Sequence, residues 1–95
     1  MSAAPVLSQH LDTTQERPVV VGTDIKVSQI AFEYERKGMT PDEIVAAHPH
    51  LRLADVHAAL AFFYDNRAAI QQDWRQTAEL IRELQQLYPP RSPSR

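Results

Sequence analysis

The chain has 95 residues, 43% of them hydrophobic and 23% charged, which is enough for one small globular domain at most. Ten Lys and Arg against twelve Asp and Glu give a formal net charge of -2, which argues against a free-standing nucleic-acid binder, because phosphate contacts supply most of such a protein's affinity. The absence of cysteine excludes disulfides, thiol catalysis and thiolate metal sites.

Short strands are predicted in the N-terminal part, over about residues 6–27. β-branched residues there suit a pleated, half-buried surface. Gly22 allows the positive φ of a turn between fragments. The residues expected in strands are Val6, Leu7, Leu11, Val19, Val20, Val21, Ile25 and Val27.

So few strand residues in a mainly helical chain predict an assembly. An isolated hairpin is marginal in water, and unpaired strand edges are available to a second chain. A two-fold partner would supply the same strands. We therefore expect a homodimer through residues 17–27, with Val19, Val20 and Val21 as the dimer strand.

Two short helices are predicted next, over about residues 27–37 and 41–48. The first has one apolar stripe that begins at Val27, and Gly38 ends it. The second starts with a capping box, in which Thr40 is the N-cap and Glu43 is the third helical residue. Pro49 ends it, because the residue before a proline avoids the helical region.

The third helix, about residues 54–65, completes the outline of a helix-turn-helix. Asn66 indicates a break after it. The only candidate DNA contacts at its start are Arg52 and His57, while Asp55 would face the phosphates. Weak DNA binding, or binding only within a complex, is expected. The buried stripe is predicted to be Val56, Ala59, Leu60 and Phe63.

The long fourth helix, about residues 67–87, carries an apolar stripe at heptad-like spacing. Three helices are too few to cover such a stripe, so part of it is expected to face a partner. The short tail, residues 89–95, is rich in Pro and Ser and is expected to be disordered. The predicted partner-binding residues are Ile70, Trp74, Ile81, Leu84 and Tyr88.

Catalytic, cofactor and metal sites are not predicted. His48, His50 and His57 lie close in sequence, but surface histidines at a turn are a simpler interpretation than metal ligands. Glu33 and Glu35 are two apart on a helix, point in different directions, and indicate a solvated face. No phosphate-binding, dinucleotide-binding or nucleophile motif is present.

Three segments resemble one family. "RPVVVGTDIKVSQI", "KGMTPDEIVAAHPHLRLADVHAAL" and "FFYDNRAAI" are similar, in order and spacing, to family 433 of the domains of unknown function. The resemblance covers roughly Leu11 to Ile70. It implies a small fold of strands plus three helices of homeodomain-like shape, and an antitoxin role beside a PIN-like ribonuclease. Two positions depart from the family pattern: Asp24 replaces an arginine, and Arg52 replaces a threonine cap.

The sequence therefore predicts a mainly α protein in which residues 1–88 form one small domain. Short N-terminal strands precede a homeodomain-like three-helix unit and a long C-terminal helix. The leading functional interpretation is a non-catalytic antitoxin-like protein that binds a PIN-like nuclease through its last helix. A helix-turn-helix transcriptional regulator and a structural adaptor are the alternatives. A cytoplasmic location is expected, because residues 1–18 lack a signal-peptide pattern and no stretch is apolar enough to span a membrane.

Overall fold

The computed structural model describes residues 9–14 and 16–89, and it contains two short antiparallel strands followed by four helices. Val6 and Leu7, from the predicted first strand, and residues 90–95, from the predicted tail, lie outside the described residues. The elements in chain order are β1 (Leu11–Asp12), β2 (Val19–Val20), α1 (Val27–Glu35), α2 (Pro41–Ala47), α3 (Leu53–Asp65) and α4 (Arg67–Leu87).

Strand β2 is hydrogen-bonded on both sides. On one side it pairs with β1, and the N–H of Val21 donates to the carbonyl of His10 at 2.8 Å. On the other side the N–H of Val20 donates to the carbonyl of Ile25 at 2.9 Å. A second protomer that adds a strand must therefore pair with β1 or with the segment that follows Gly22. Gly22 itself forms the turn, with a φ of +81°.

The three residues of the predicted dimer strand differ in environment. Val20 is only 1% exposed and belongs to the core, whereas Val21 is 52% exposed and Val19 is half-buried. The homodimer stays a prediction. A lysine at Val20 would disrupt the core itself, so Val21→Lys is the substitution that reports on a dimer.

Helix α1 ends at Glu35, two residues before the predicted Lys37. The chain leaves the helix because Gly38 takes a φ of +72°, and the N–H of Met39 then donates back to the carbonyl of Glu33 at 3.0 Å. This bond closes the C-terminus in the manner of a glycine-terminated helix.

The capping box predicted for α2 is confirmed. The Glu43 N–H donates to Thr40 Oγ1 at 3.2 Å, and the Thr40 N–H donates to Glu43 Oε1 at 2.8 Å. Helix α3 starts without a side-chain acceptor at Arg52, but the Asp55 carboxylate accepts the Arg52 N–H at 2.9 Å. Half of a capping box therefore holds the start of α3.

Asn66 separates α3 from α4. Its backbone leaves the helical region, with a φ of -135°, and its side-chain amide donates to the carbonyl of Phe62 at 2.9 Å. The two helices are therefore distinct, as the cap-type residue predicted.

The core lies where α1, α2 and α3 meet the strands, and it includes all four residues of the predicted α3 stripe. Ile70 is the one residue of α4 in it among the described residues. The buried apolar residues are Leu11, Val20, Val27, Ile30, Ala31, Ile44, Leu51, Val56, Ala58, Ala59, Leu60, Phe63 and Ile70.

Candidate partner-binding surface on the C-terminal helix

The inner half of α4 packs on the rest of the chain through Ile70 and Trp74. Ile70 is 7% exposed. The Trp74 indole N–H donates to the carbonyl of Ser28 in α1 at 3.0 Å. Its rings lie 5.6 Å from the Phe32 ring, edge-on, and 5.5 Å from the Phe63 ring, in a tilted arrangement. These two side chains fix the direction of the helix.

The outer half of α4 has no such support: every residue from Arg75 to Pro89 is exposed. Large apolar side chains are nevertheless concentrated there. At 100° per residue the four within α4 form one broad stripe that continues the line of Ile70, and Tyr88 follows them at the C-cap. Its members and their exposures are Leu80 at 55%, Ile81 at 49%, Leu84 at 46%, Leu87 at 71% and Tyr88 at 76%. We call these five residues the outer stripe.

An apolar groove connects the outer stripe to α1. It encloses about 450 Å³, with Phe32 and Trp74 on its walls and Ile81 at its outer end. An ion pair between Arg17 Nε and Asp73 Oδ1, at 3.0 Å, lies beside it. The groove therefore joins Phe32 of α1 to Ile81 of the outer stripe.

The five predicted partner-binding residues fall into two groups. Ile70 is buried and Trp74 is half-buried by the chain itself, so only one side of the indole is open, in the groove. Ile81, Leu84 and Tyr88 are exposed on the outer stripe. Sequence reasoning missed Leu80 and Leu87, although both lie one position before a stripe residue, where a heptad seam widens.

The accessible side of α3 carries little positive charge. Arg52 and His57, the two predicted DNA contacts, are both exposed. The other exposed residues of α3 include no lysine or arginine; they are Leu53, Ala54, Ala61, Tyr64 and Asp65. Base readout needs hydrogen-bonding side chains at such positions, and Arg52 is the one cation next to them.

Asp55 does not face outward, which corrects the prediction that it would face phosphates. It is 6% exposed, and His10 Nδ1 lies 2.9 Å from its Oδ1. Burial acts to raise the pKa of this carboxyl, but the hydrogen bonds from the Arg52 N–H and from His10, with the charges of both, lower it. The net result is a pKa below the ordinary 3.8.

This lowered pKa predicts a loss of stability in acid. Because the folded-state pKa is depressed, the contribution of Asp55 is complete above the ordinary carboxyl range. It is lost as the pH falls from about 4 through the folded-state pKa. Urea unfolding at a series of pH values should show this decrease, and Asp55→Asn should flatten it. An unchanged slope in the variant would contradict the assignment.

Glu33 and His48 form a second, partly buried pair, and both sequence interpretations of them were wrong. Glu33 is 7% exposed rather than on a solvated face. Its two carboxylate oxygens lie 3.0 and 2.9 Å from His48 Nε2, and the Gln29 amide donates to it at 3.3 Å. His48 therefore connects α1 to the end of α2 and is not a surface histidine, whereas His50 is exposed.

The described residues contain no group of three or more His, Cys, Asp or Glu placed to hold a metal ion. Within the same part of the chain, none of the helices combines the length and the apolar character that crossing a bilayer requires.

Comparison with known protein families identifies a match over the first three helices. The family model described as "Protein of unknown function (DUF433)" matches residues 12–63, from β1 to the end of α3. No curated protein and no solved structure matches the chain. The matched segment is more than half of the 95 residues and contains both buried histidine partners, Glu33 and Asp55. The chain therefore belongs to the DUF433 family.

Proposed function

We propose that this protein is a non-catalytic, antitoxin-like protein that binds a different protein through the outer stripe of α4. The observation that carries the proposal is the outer stripe itself: five large apolar side chains, each between 46% and 76% exposed, on a helix whose inner half is fixed. Covering each would contribute roughly 1 kcal/mol, since full burial of such a side chain is worth about 1.5–3 kcal/mol.

The shape of this surface fits a helix-in-groove interaction. An amphipathic helix presents residues at spacings of three and four to an apolar groove, as Ile81, Leu84 and Tyr88 do here. Aromatic side chains are frequent in the centre of such interfaces. Tyr88 is the most exposed member of the outer stripe, at 76%, and is therefore the aromatic residue best placed to enter a partner.

A different protein is a better occupant than a second copy. If two α4 helices packed in parallel, the inner half of α4 in the second copy would collide with α1 and α3. These two helices already cover Ile70 and Trp74. In an antiparallel pair with two-fold symmetry, each edge of the outer stripe packs against the same edge of the stripe in the second copy. One of these edges carries Glu83, so the Glu83 carboxylates of the two copies would lie along the same side of the interface.

A PIN-like nuclease encoded beside this gene is the partner that the family resemblance favours. The protein would neutralise it by binding alone, without catalysis. The absence of lysine and arginine among the exposed residues of α3 supports this function over that of a regulator that binds DNA through α3. The homeodomain-like shape of the three-helix unit stays a prediction.

Co-expression with the product of the neighbouring gene tests the proposal. Leu84→Glu with Leu87→Glu should abolish its capture by the tagged protein, because two carboxylates would enter the apolar interface. Gln85→Glu with Gln86→Glu adds the same charge to other faces of the same turns and should leave capture unchanged.

A truncation gives a second arm. The chain must be cut after Ala78, because a cut after Asn66 would remove Ile70 and Trp74 from the fold. Circular dichroism should show that this truncated chain still unfolds cooperatively. Capture of the neighbour by the folded, truncated chain at the affinity of the full chain would place the contact elsewhere.

A further inference from the structure

A second surface on α4, separate from the outer stripe, combines arginines with aromatic rings. The Arg36 guanidinium lies 5.8 Å from the centroids of both the Phe32 and Trp74 rings. The Arg67 guanidinium lies 5.2 Å from the Phe63 ring and 5.6 Å from the Tyr64 ring. Because Phe63 and Trp74 also contact each other, these groups form one continuous cluster at the junction of α1, α3 and α4.

The cluster continues along α4 as a row of cations. At 100° per residue, Arg75 and Arg82 lie on the side of α4 that Arg67 occupies. Both are exposed, as are Arg36 and Arg67. These four are half of the eight Lys and Arg in the described residues, which is a high local density for a chain with a net charge of -2.

Few carboxylates neutralise this row. Asp73 and Glu83 lie on other sides of α4, and Asp73 is paired with Arg17. Glu79 is the exception: it lies four residues after Arg75 and three before Arg82, within reach of both guanidinium groups. At the other end, Glu35 accepts a hydrogen bond from the Tyr64 hydroxyl at 3.1 Å, so it lies on the cluster without pairing with an arginine among the described contacts.

Two of the aromatic rings remain accessible beneath the arginines. Phe32 is 37% exposed and Tyr64 is 47% exposed. Rings of this kind, next to a basic track, are the arrangement that binds unpaired bases: the bases stack on aromatic or guanidinium planes, and the cations contact the phosphates. A duplex keeps its bases stacked on each other, so it uses only the cations.

We propose that this face, made of Arg36, Arg67, Arg75 and Arg82 with Phe32, Tyr64 and Trp74, binds single-stranded nucleic acid. Phosphates contact the four arginines, and bases stack at the Tyr64 and Phe32 end. The face does not include the outer stripe, although it shares Phe32 and Trp74 with the groove that adjoins the stripe. Its test uses the free chain, so the result does not depend on the protein partner proposed above.

The test uses the full chain and labelled oligomers of uridine and of deoxythymidine, followed by fluorescence anisotropy. Binding should weaken by roughly twentyfold between about 50 and about 150 mM salt, as expected for about four phosphate contacts on a single strand. Saturable binding of either oligomer supports the proposal, and a preference between them identifies the sugar. The absence of saturable binding at the lower salt concentration would overturn it.

Matched variants locate the site. Arg75→Gln with Arg82→Gln should weaken binding at least about tenfold and reduce the salt slope by about 1.4. Arg52→Glu, at the start of α3, changes the charge by the same two units away from this face and should change affinity less than about twofold. Glu79→Gln should tighten binding. An equal loss in the Arg52 variant and in the double variant would refute the assignment to α4.

Stacking is tested separately through Trp74, the single tryptophan of the chain. Unlabelled oligomer should quench its fluorescence, and Tyr64→Leu should weaken binding without changing the salt slope. If polyglutamate or duplex DNA of equal charge competes as well as the single strand does, the face recognises charge alone and the proposal fails.

Discussion

Replacing His48 with alanine is expected to lower the free energy of unfolding by about 1–3 kcal/mol, the usual cost of leaving a buried polar group without its hydrogen-bond partner. Glu33 would remain buried with only the long hydrogen bond from Gln29, at 3.3 Å. A domain of this size is stable by about 5–15 kcal/mol, so a large share of the total would be lost. Urea-induced unfolding followed by circular dichroism measures the change.

His50 provides the control for this experiment. It is two residues away in the same turn and is exposed, so His50→Ala should change stability by less than about 0.5 kcal/mol. A double variant, Glu33→Leu with His48→Leu, replaces both partners by apolar groups and should recover much of the loss. Equal effects of the two histidine substitutions would contradict a structural role for the buried pair.

Replacing Phe63 with alanine is expected to cost about 3–5 kcal/mol, because the substitution leaves a cavity in the core. Phe63 is fully buried, and its ring contacts Trp74, Tyr64 and the Arg67 guanidinium. The substitution should therefore also weaken the packing of α4 on the core. As a result, the fluorescence of Trp74 should shift towards that of an exposed indole.

Phe32 is the matched control, since its ring also contacts Trp74 but is 37% exposed. Phe32→Ala should lower the free energy of unfolding by about 1 kcal/mol, because water can enter the space that the ring leaves and no closed cavity forms. Denaturant unfolding of both variants checks the difference. If Phe32→Ala is as damaging as Phe63→Ala, then the packing of α4 depends on α1 rather than on α3.

The helices were predictable because the residues that begin and end them lie close to those ends in the sequence. The Thr40 and Glu43 capping box, the glycine at position 38 and the cap-type Asn66 each act within a few residues of their own position. Periodicity likewise identified the buried stripe of α3. The predicted helix bounds therefore match the observed ones for α4 and differ from them by one or two residues for the other three helices.

The buried histidine pairs were not predictable in the same way. Glu33 and His48 are 15 residues apart, and His10 and Asp55 are 45 residues apart. The sequence around a carboxylate that is buried beside a histidine does not differ from the sequence around a solvent-exposed one. Only the tertiary fold brings the histidine close. Hydrophobic periodicity contains no signal for such a pair.

The candidate binding surface was predicted in part. Spacing placed Ile70, Trp74, Ile81, Leu84 and Tyr88 on one side of α4, but it did not divide them into a covered and an open portion. That division depends on where α1 and α3 end in space. Trp74 belongs to the covered portion because Ser28, a residue 46 positions away, offers its carbonyl to the indole.

The outer half of α4 also determines how quickly the free protein is cleaved by proteases. The described residues after Ala78 make no packing contact in the core, so their helix depends on its own hydrogen bonds, and isolated helices of about a dozen residues are marginal in water. Amide hydrogens there should exchange rapidly with solvent, and a protease should cleave there first. An occupant of the outer stripe would slow both processes, so the lifetime of the chain would report whether its partner is present.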